Sequence, residues 1–269
     1  YYDARLEISD FHTVDFDDSG FKNAVRTSAP RGKKRLCTAD PVRIYGELKP
    51  VSVTRAENGW LYDFGENNTG VCRLSVNAKA GQKITLRYGE WLKDGKLCLD
   101  NIRFSQQSDL QKDFVQKSEY ICKDGNQTHT PSFIYNGFRY VMAEGITEEQ
   151  ANADLLTYLK ISSLPDRAGE FACSDEVINK IQEAAVRSDI SNFNYFPTDC
   201  PQREKNGWTA DASLSAEQML LNLYPEKCYK EWMRSIYKAL SDNGQLPGII
   251  PTGGWGYHWG NGPAWDNVI

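Results

Sequence analysis

The chain has 269 residues, 40% of them hydrophobic, enough for more than one core, so two domains are expected. With a net charge of −5 and no basic face, a nucleic-acid partner is disfavoured. No apolar run approaches the roughly 18 residues that a membrane-spanning helix needs, so no membrane partner is expected.

The opening "YYDARLEISD" does not read as a signal peptide; it reads as mid-protein sequence, which leaves room for a signal upstream. From Val42 to about Ile161 the pattern is β. In "VCRLSVNA", Cys72, Leu74 and Val76 alternate with Val71, Arg73 and Ser75. In "KITLRYGEWL", Ile84, Leu86 and Tyr88 alternate with Thr85 and Arg87, and in "GFRYVMAEG" the same reading puts Phe138, Tyr140 and Met142 on one face. A period of two means one face in and one face out, as in a sandwich sheet. "KAGQ", Asp94-Gly95 and Asp124-Gly125-Asn126 supply the turns.

"SSLPDRAGEF" then reads as a linker, after which the period becomes helical. Ser174 is the expected N-cap of a first helix, with Val177, Ile178, Ile181, Ala184 and Ala185 as its apolar face. A second helix is expected from about Asp211 to Leu223 with Leu214 and Leu221 inward. Pro225 suits the first turn of a third, whose core face would be Tyr229, Trp232, Met233, Ile236 and Leu240, and Asn243-Gly244 would stop it. Three helices would leave the faces of Ile181, Leu221, Trp232 and Ile236 partly uncovered. Seven scattered cysteines without a C-x-x-C read as reduced, mostly packed thiols, and none of the three histidines stands near two cysteines. No metal or other cofactor is expected.

Between the first two helices lies "PTDCPQREKNGWTAD", Pro197 to Asp211. Pro197 and Pro201 keep the Asp199 region out of helix. In a bent loop Asp199, Glu204 and Asp211 can converge, and convergent carboxylates raise one another's pKa. A carboxyl kept protonated near neutral pH is what a general acid needs, and Arg203 can hold a carboxylate or hydroxyl in a fork of donors. The plainer reading is a solvated acidic loop with Asp211 capping the next helix. Aromatics favour the functional one: Trp208, Trp255, Trp259 and Trp265 lie in or after this loop, the last three in the glycine-rich "GGWGYHWGNGPAW". Flat rings stack on sugar faces while carboxylates bind hydroxyls. His258 reads as a structural or hydroxyl-binding residue.

These residues carry a resemblance. The chain is similar to the central part of bacterial α-L-rhamnosidases of glycoside hydrolase family 78. "YYDARLE" resembles the end of that family's N-terminal jelly roll; "DFGENNTGVCRLSVNAKAGQKITLRYGE" and "FIYNGFRYV" resemble the β-sandwich that follows. "PTDCPQREKNGWTAD" and "GNGPAWD" resemble parts of its (α/α)6 catalytic barrel. The resemblance implies a multidomain β + α fold: residues 1–40 the tail of a jelly roll, 41–163 a β-sandwich, and 164–269 the first helices of the (α/α)6 barrel. It implies Glu204 as general acid, Asp199 and Asp211 as rhamnose-binding acids, and Arg203, Trp208 and Trp255 as pocket residues. Ala210 stands where glycine is common. The family inverts configuration, and its general base, a late glutamate, would lie beyond Ile269. Rhamnose-containing glycosides or polysaccharides are the implied partners, with a homodimer left open and the bacterial cytoplasm preferred over periplasm or secretion. A non-catalytic carbohydrate-binding module and a phosphorylase on the same toroid are the alternatives.

Overall fold

A computed structural model describes residues 1–28, 32–102, 116–258, 260 and 262–267. The first part is β: β1 (Tyr2–Asp3), β2 (Arg43–Leu48), β3 (Ser52–Ala56), β4 (Gly59–Ala78), β5 (Lys83–Gly89), β6 (Trp91–Lys93), β7 (Lys96–Cys98), β8 (Lys117–Ile121), β9 (Gly125–His129), β10 (Asn136–Glu144) and β11 (Leu156–Ser162). The second part holds α1 (Glu176–Ser191), β12 (Phe193–Asn194), β13 (Phe196–Pro197), α2 (Thr209–Asn222), α3 (Glu226–Ala239) and the short α4 (Pro263–Asp266). Among the described residues no helix is long and apolar enough to cross a membrane.

One sheet runs in the order β1-β8-β5-β10-β4-β11-β2, with β3 and β9 also paired to β4. The long β4 pairs with β3 along 59–63, with β10 along 60–63 and 68–70, with β11 along 70–74 and with β9 along 74–78. It therefore carries the sheet from one layer of the sandwich into the other. Tyr62 and Phe64 from its first half share a single core with Cys72, Leu74 and Val76 from its second, together with Ile84, Leu86, Tyr88 and Tyr158. Phe138 and Tyr158 stack at 3.9 Å between centroids within this cluster. The expected alternation holds in β4 and β5, where Cys72, Leu74, Val76, Ile84, Leu86 and Tyr88 are buried. Asp94 and Gly95 turn β6 into β7 with φ of 51° and 74°, the left-handed pair that a two-residue hairpin requires.

Strand β10 departs from its expected face. Phe138 points inward, but Val141 and Ala143 are buried instead of Tyr140 and Met142. Its pairing with β4 jumps from Phe138↔Asn68 to Tyr140↔Asp63, so β4 carries extra residues opposite Arg139. Such a bulge breaks the ladder and switches the faces beyond it. Arg139 spans the irregularity with two hydrogen bonds to Asp63, of 2.8 and 2.9 Å.

The helices form in the expected order with shifted faces. Asp175, not Ser174, caps α1: its Oδ1 accepts from the Val177 and Ile178 amides at 2.8 and 3.3 Å. A carboxylate adds charge at the positive helix end that a hydroxyl lacks. Val177, Ile178 and Ile181 are exposed, and Val186, Asp189 and Ile190 are buried, because α1 packs on β4, β11, β12 and α2 through its later turns. Helix α2 begins at Thr209 and buries Ala212 and Met219, while Leu214 and Leu221 are 88% and 72% exposed. Pro225 is the residue before α3, whose Trp232 and Ile236 are buried with Tyr229 and Met233 packed beside them; Leu240 lies outside this face. Ile181 and Leu221 are thus uncovered as expected, but Trp232 and Ile236 are not. Leu246 and Ile250 fold back over them, and Trp232 Nε1 donates to Ile250 O at 2.7 Å. All seven cysteines are free thiols, four of them buried.

Asp189 is a carboxyl inside the helical part, 4% exposed, accepting a 2.6 Å hydrogen bond from Gln218 Nε2. Burial pushes its pKa up to about 6. An ordinary aspartate titrates near about 3.9, so between about pH 4 and 6 the folded protein holds a proton that the unfolded chain has lost, and stability falls as pH rises through that window. Asp189→Asn should therefore stabilise the fold at pH 7 by about 1–3 kcal/mol. Urea unfolding at pH 4 and pH 7 checks this: the gain should vanish at the lower pH. A gain equal at both would assign the effect to packing.

Candidate active site

The acid-bearing turn begins where α1 ends. The hairpin of β12 and β13 reverses the chain, and Thr198 then donates through its amide and hydroxyl to Asn192 O at 2.8 and 3.1 Å. Residues 199–206 close on themselves. Asp199 N donates to Asn206 O at 3.0 Å, and Asp199 Oδ1 accepts from Asn206 N at 2.8 Å. Within the loop, Lys205 N donates to Cys200 O at 3.2 Å and Glu204 N to Cys200 Sγ at 3.3 Å. Lys205 has a φ of 58°, a conformation rare for a side chain of its size.

Two close approaches seat this turn. A Cβ on Gly137 of β10 would lie 2.7 Å from Pro201 Cγ, so the glycine lets the turn rest directly on the sheet. On the other side, a Cβ on Gly207 would meet Ile250 O at 2.1 Å. There Ile250 N donates to Gly207 O and Thr209 N to Gly248 O, each at 2.9 Å. The 248–250 segment thus holds the start of α2, and with it Trp208.

Glu204 stands at the centre. Its Oε2 accepts from Trp208 Nε1 at 2.9 Å, and its Oε1 lies 3.6 Å from the Arg203 guanidinium. Burial raises the pKa of Asp199, and the Glu204 charge adds to the rise; hydrogen bonds from Cys200 and Asn206 work against it. Asp211, in the first turn of α2, is raised by burial and again by Glu204. The Cys200 thiol donates to Asp199 Oδ2 at 2.9 Å, and burial together with this bond pushes it up to about 11. The turn thus brings Asp199, Arg203, Glu204, Trp208 and Asp211 within electrostatic or hydrogen-bonding reach of one another. A carboxyl held by an indole N–H and an arginine, with two further acids alongside, offers a polyhydroxylated ligand several oxygen acceptors and a guanidinium donor.

Trp255 stands half-buried in the turn after Ile250, its amide donating to Thr252 O at 2.9 Å. The ring beside Trp208 is that of Trp265, at 6.3 Å and 57°. His258 is exposed, and Trp259 lies outside the described residues. Sequence reasoning set Trp265 among the loop aromatics without pairing it to Trp208, and missed Lys205 altogether. Lys205 Nζ donates to Tyr135 O at 2.6 Å and lies 4.8 Å from the Tyr135 ring centroid; burial lowers its pKa to about 8. A lysine beside the central glutamate was the available signal, but its inward direction follows from a backbone conformation that no residue pattern announces. Among the described residues no group of three or more His, Cys, Asp or Glu could hold a metal ion.

Known proteins share this arrangement of chain. Residues 53–162 match the bacterial alpha-L-rhamnosidase concanavalin-like domain, and residues 166–269 the bacterial alpha-L-rhamnosidase 6 hairpin glycosidase domain. An alpha-L-rhamnosidase of Formosa agariphila is 32% identical over 260 residues, 93% of this chain and 27% of that protein. The structure of an alpha-L-rhamnosidase from Dictyoglumus thermophilum superposes with a TM-score of 0.88 at 32% identity, covering 99% of this chain and 29% of that one. The Streptomyces avermitilis alpha-L-rhamnosidase complexed with L-rhamnose gives a TM-score of 0.76 at 27% identity, over 86% of this chain and 22% of that one. The chain spans about a quarter of the length of the curated relatives it matches. With a β-sandwich and the first helices of a helical barrel each matching its counterpart in order, the chain belongs to the bacterial α-L-rhamnosidase family.

Proposed function

We propose that these residues form part of an inverting glycoside hydrolase that removes terminal α-L-rhamnose from glycosides or polysaccharides. The observation that carries the reading is the Glu204 carboxylate held between Trp208 Nε1 and Arg203, with Asp199 and Asp211 alongside. Relatives named as α-L-rhamnosidases, and one complexed with L-rhamnose, support the choice of sugar. In this reading Glu204 gives its proton to the glycosidic oxygen as the bond from that oxygen to the anomeric carbon breaks. Water attacks the same carbon from the opposite face and loses its proton to a second carboxylate, about 6.5–9.5 Å from the first. We place that second carboxylate outside residues 1–269. Asp199, Asp211, Arg203, Trp208 and Trp255 serve binding. Residues 1–40 are read as the tail of a preceding jelly roll, 41–163 as the β-sandwich and 164–269 as the start of the catalytic domain.

The test is to follow cleavage of an aryl α-L-rhamnoside by proton NMR. The full-length protein should release β-L-rhamnose first, and residues 1–269 alone should release none. The α-anomer appearing first would overturn inversion. Turnover that requires phosphate would mark a phosphorylase, and rhamnose binding without cleavage by the full-length protein a carbohydrate-binding module.

A further inference from the structure

Next to the acid turn, on the side facing the β-sandwich, lies a cavity of about 340 Å³. That falls within the roughly 300–1,000 Å³ usual for small-molecule sites. Gln202, Arg203 and Lys205 line it from the turn, and Lys117, Phe133 and Tyr135 from the β part. It joins the candidate active site at Arg203, whose guanidinium also lies 3.6 Å from Glu204. A ligand unit in this cavity would therefore adjoin the proton donor.

The charge of the lining is one-sided. Its described residues include three cations and no carboxylate, in a chain of net charge −5. Among the described residues none of the three hydrogen-bonds to a carboxylate. Lys117 is 3.7 Å from Glu119, which Lys83 already holds at 2.6 Å. Arg203 reaches Glu204 only at 3.6 Å. Lys205 is buried against a neutral carbonyl and an aromatic ring. A buried ammonium held by a carbonyl and a ring is costly, and an incoming anion would relieve that cost. The rim adds a flat surface. Phe133 is fully exposed at 106%, on a backbone with φ of 63°. For a bulky aromatic residue that conformation is a genuine outlier, and such strain collects at ligand sites. A ring presented to solvent beside a cationic cavity suits a sugar that carries a negative charge.

We propose that this cavity binds an anionic saccharide unit, carboxylated or sulfated, on the leaving-group side of the bond that Glu204 protonates. The inference rests on the hydrolase reading above. It assigns Lys117 and Phe133, neither of them in the acid turn, to selecting the group that carries the rhamnose.

The test compares matched substrates on the full-length protein: an α-L-rhamnosyl glucuronide, its glucoside, and its sulfated glucoside. The wild type should favour the anionic substrates, and Lys117→Met should lower kcat/KM on them by about tenfold while leaving the glucoside within about twofold. The sulfated and carboxylated arms then tell which anion fits. Equal turnover of glucuronide and glucoside by the wild type, or an equal loss on both in Lys117→Met, overturns the proposal. Absence of turnover on every substrate, the aryl rhamnoside included, would count against the hydrolase reading alone. Calorimetric titration with methyl glucuronide and methyl glucoside then decides the cavity by itself. Binding of the glucuronide only, weakened in Lys117→Met and in Phe133→Ala, supports it, and no difference between the two sugars overturns it.

Discussion

Glu204→Gln is expected to lower kcat on rhamnosides with poor leaving groups by about 10²–10⁴-fold. The amide keeps the shape of the carboxyl and can still accept from Trp208 Nε1, so the 2.9 Å contact and the turn around it should survive. What it cannot do is hand a proton to the departing oxygen. A sugar alkoxide needs that proton and a nitrophenolate hardly does, so the loss should be much smaller on a nitrophenyl rhamnoside. Comparing kcat on the two substrates checks the assignment. Equal losses would mean that Glu204 binds or supports the fold instead. Removing its charge also takes away one of the causes that raise Asp199 and Asp211, although burial, the larger cause in both, remains.

Trp232→Ala should cost about 3–5 kcal/mol of stability, a large share of the roughly 5–15 kcal/mol that holds a domain together. Trp232 is 3% exposed and packs with Ala212, Ile236, Leu246 and Ile250. Its indole N–H also holds Ile250 O at 2.7 Å. The truncation empties the core and frees the 246–250 segment together. That segment is the one whose Ile250 N donates to Gly207 O, next to Trp208. The variant should therefore loosen Glu204 as well as the fold. Trp232→Phe keeps most of the volume and loses only the hydrogen bond, at about 1–3 kcal/mol. Urea midpoints for the two variants separate packing from hydrogen bonding. If Trp232→Ala changed stability by less than Trp232→Phe, the indole would not be the anchor of this segment.

Local patterns in the chain were sufficient for part of this molecule. The alternation through Cys72, Leu74 and Val76, and again through Ile84, Leu86 and Tyr88, reports the buried face because pleating fixes where successive side chains point. Asp94-Gly95 marks its hairpin because those residue types tolerate positive φ. The acid turn was legible by residue type: prolines that exclude helix, carboxylates at Asp199, Glu204 and Asp211, and a tryptophan among them.

Partners distant in sequence decided the rest. Tyr140 and Met142 lost their expected face because β4 inserts residues opposite Arg139, which β10 alone cannot disclose. Val177, Ile181, Leu214 and Leu221 form apolar stripes as regular as any core, yet what buries a stripe is a neighbouring surface, and α1 and α2 find theirs through Val186, Ile190, Ala212 and Met219. The meeting of Glu204 with Trp208 needs the 248–250 segment and Gly137 to hold the turn from both sides. The turn of Lys205 toward Tyr135 and the seating of Trp265 beside Trp208 likewise join residues tens of positions apart. Periodicity reports the chain's local geometry; these contacts depend on how separate elements close around one another, and only the packed molecule sets that.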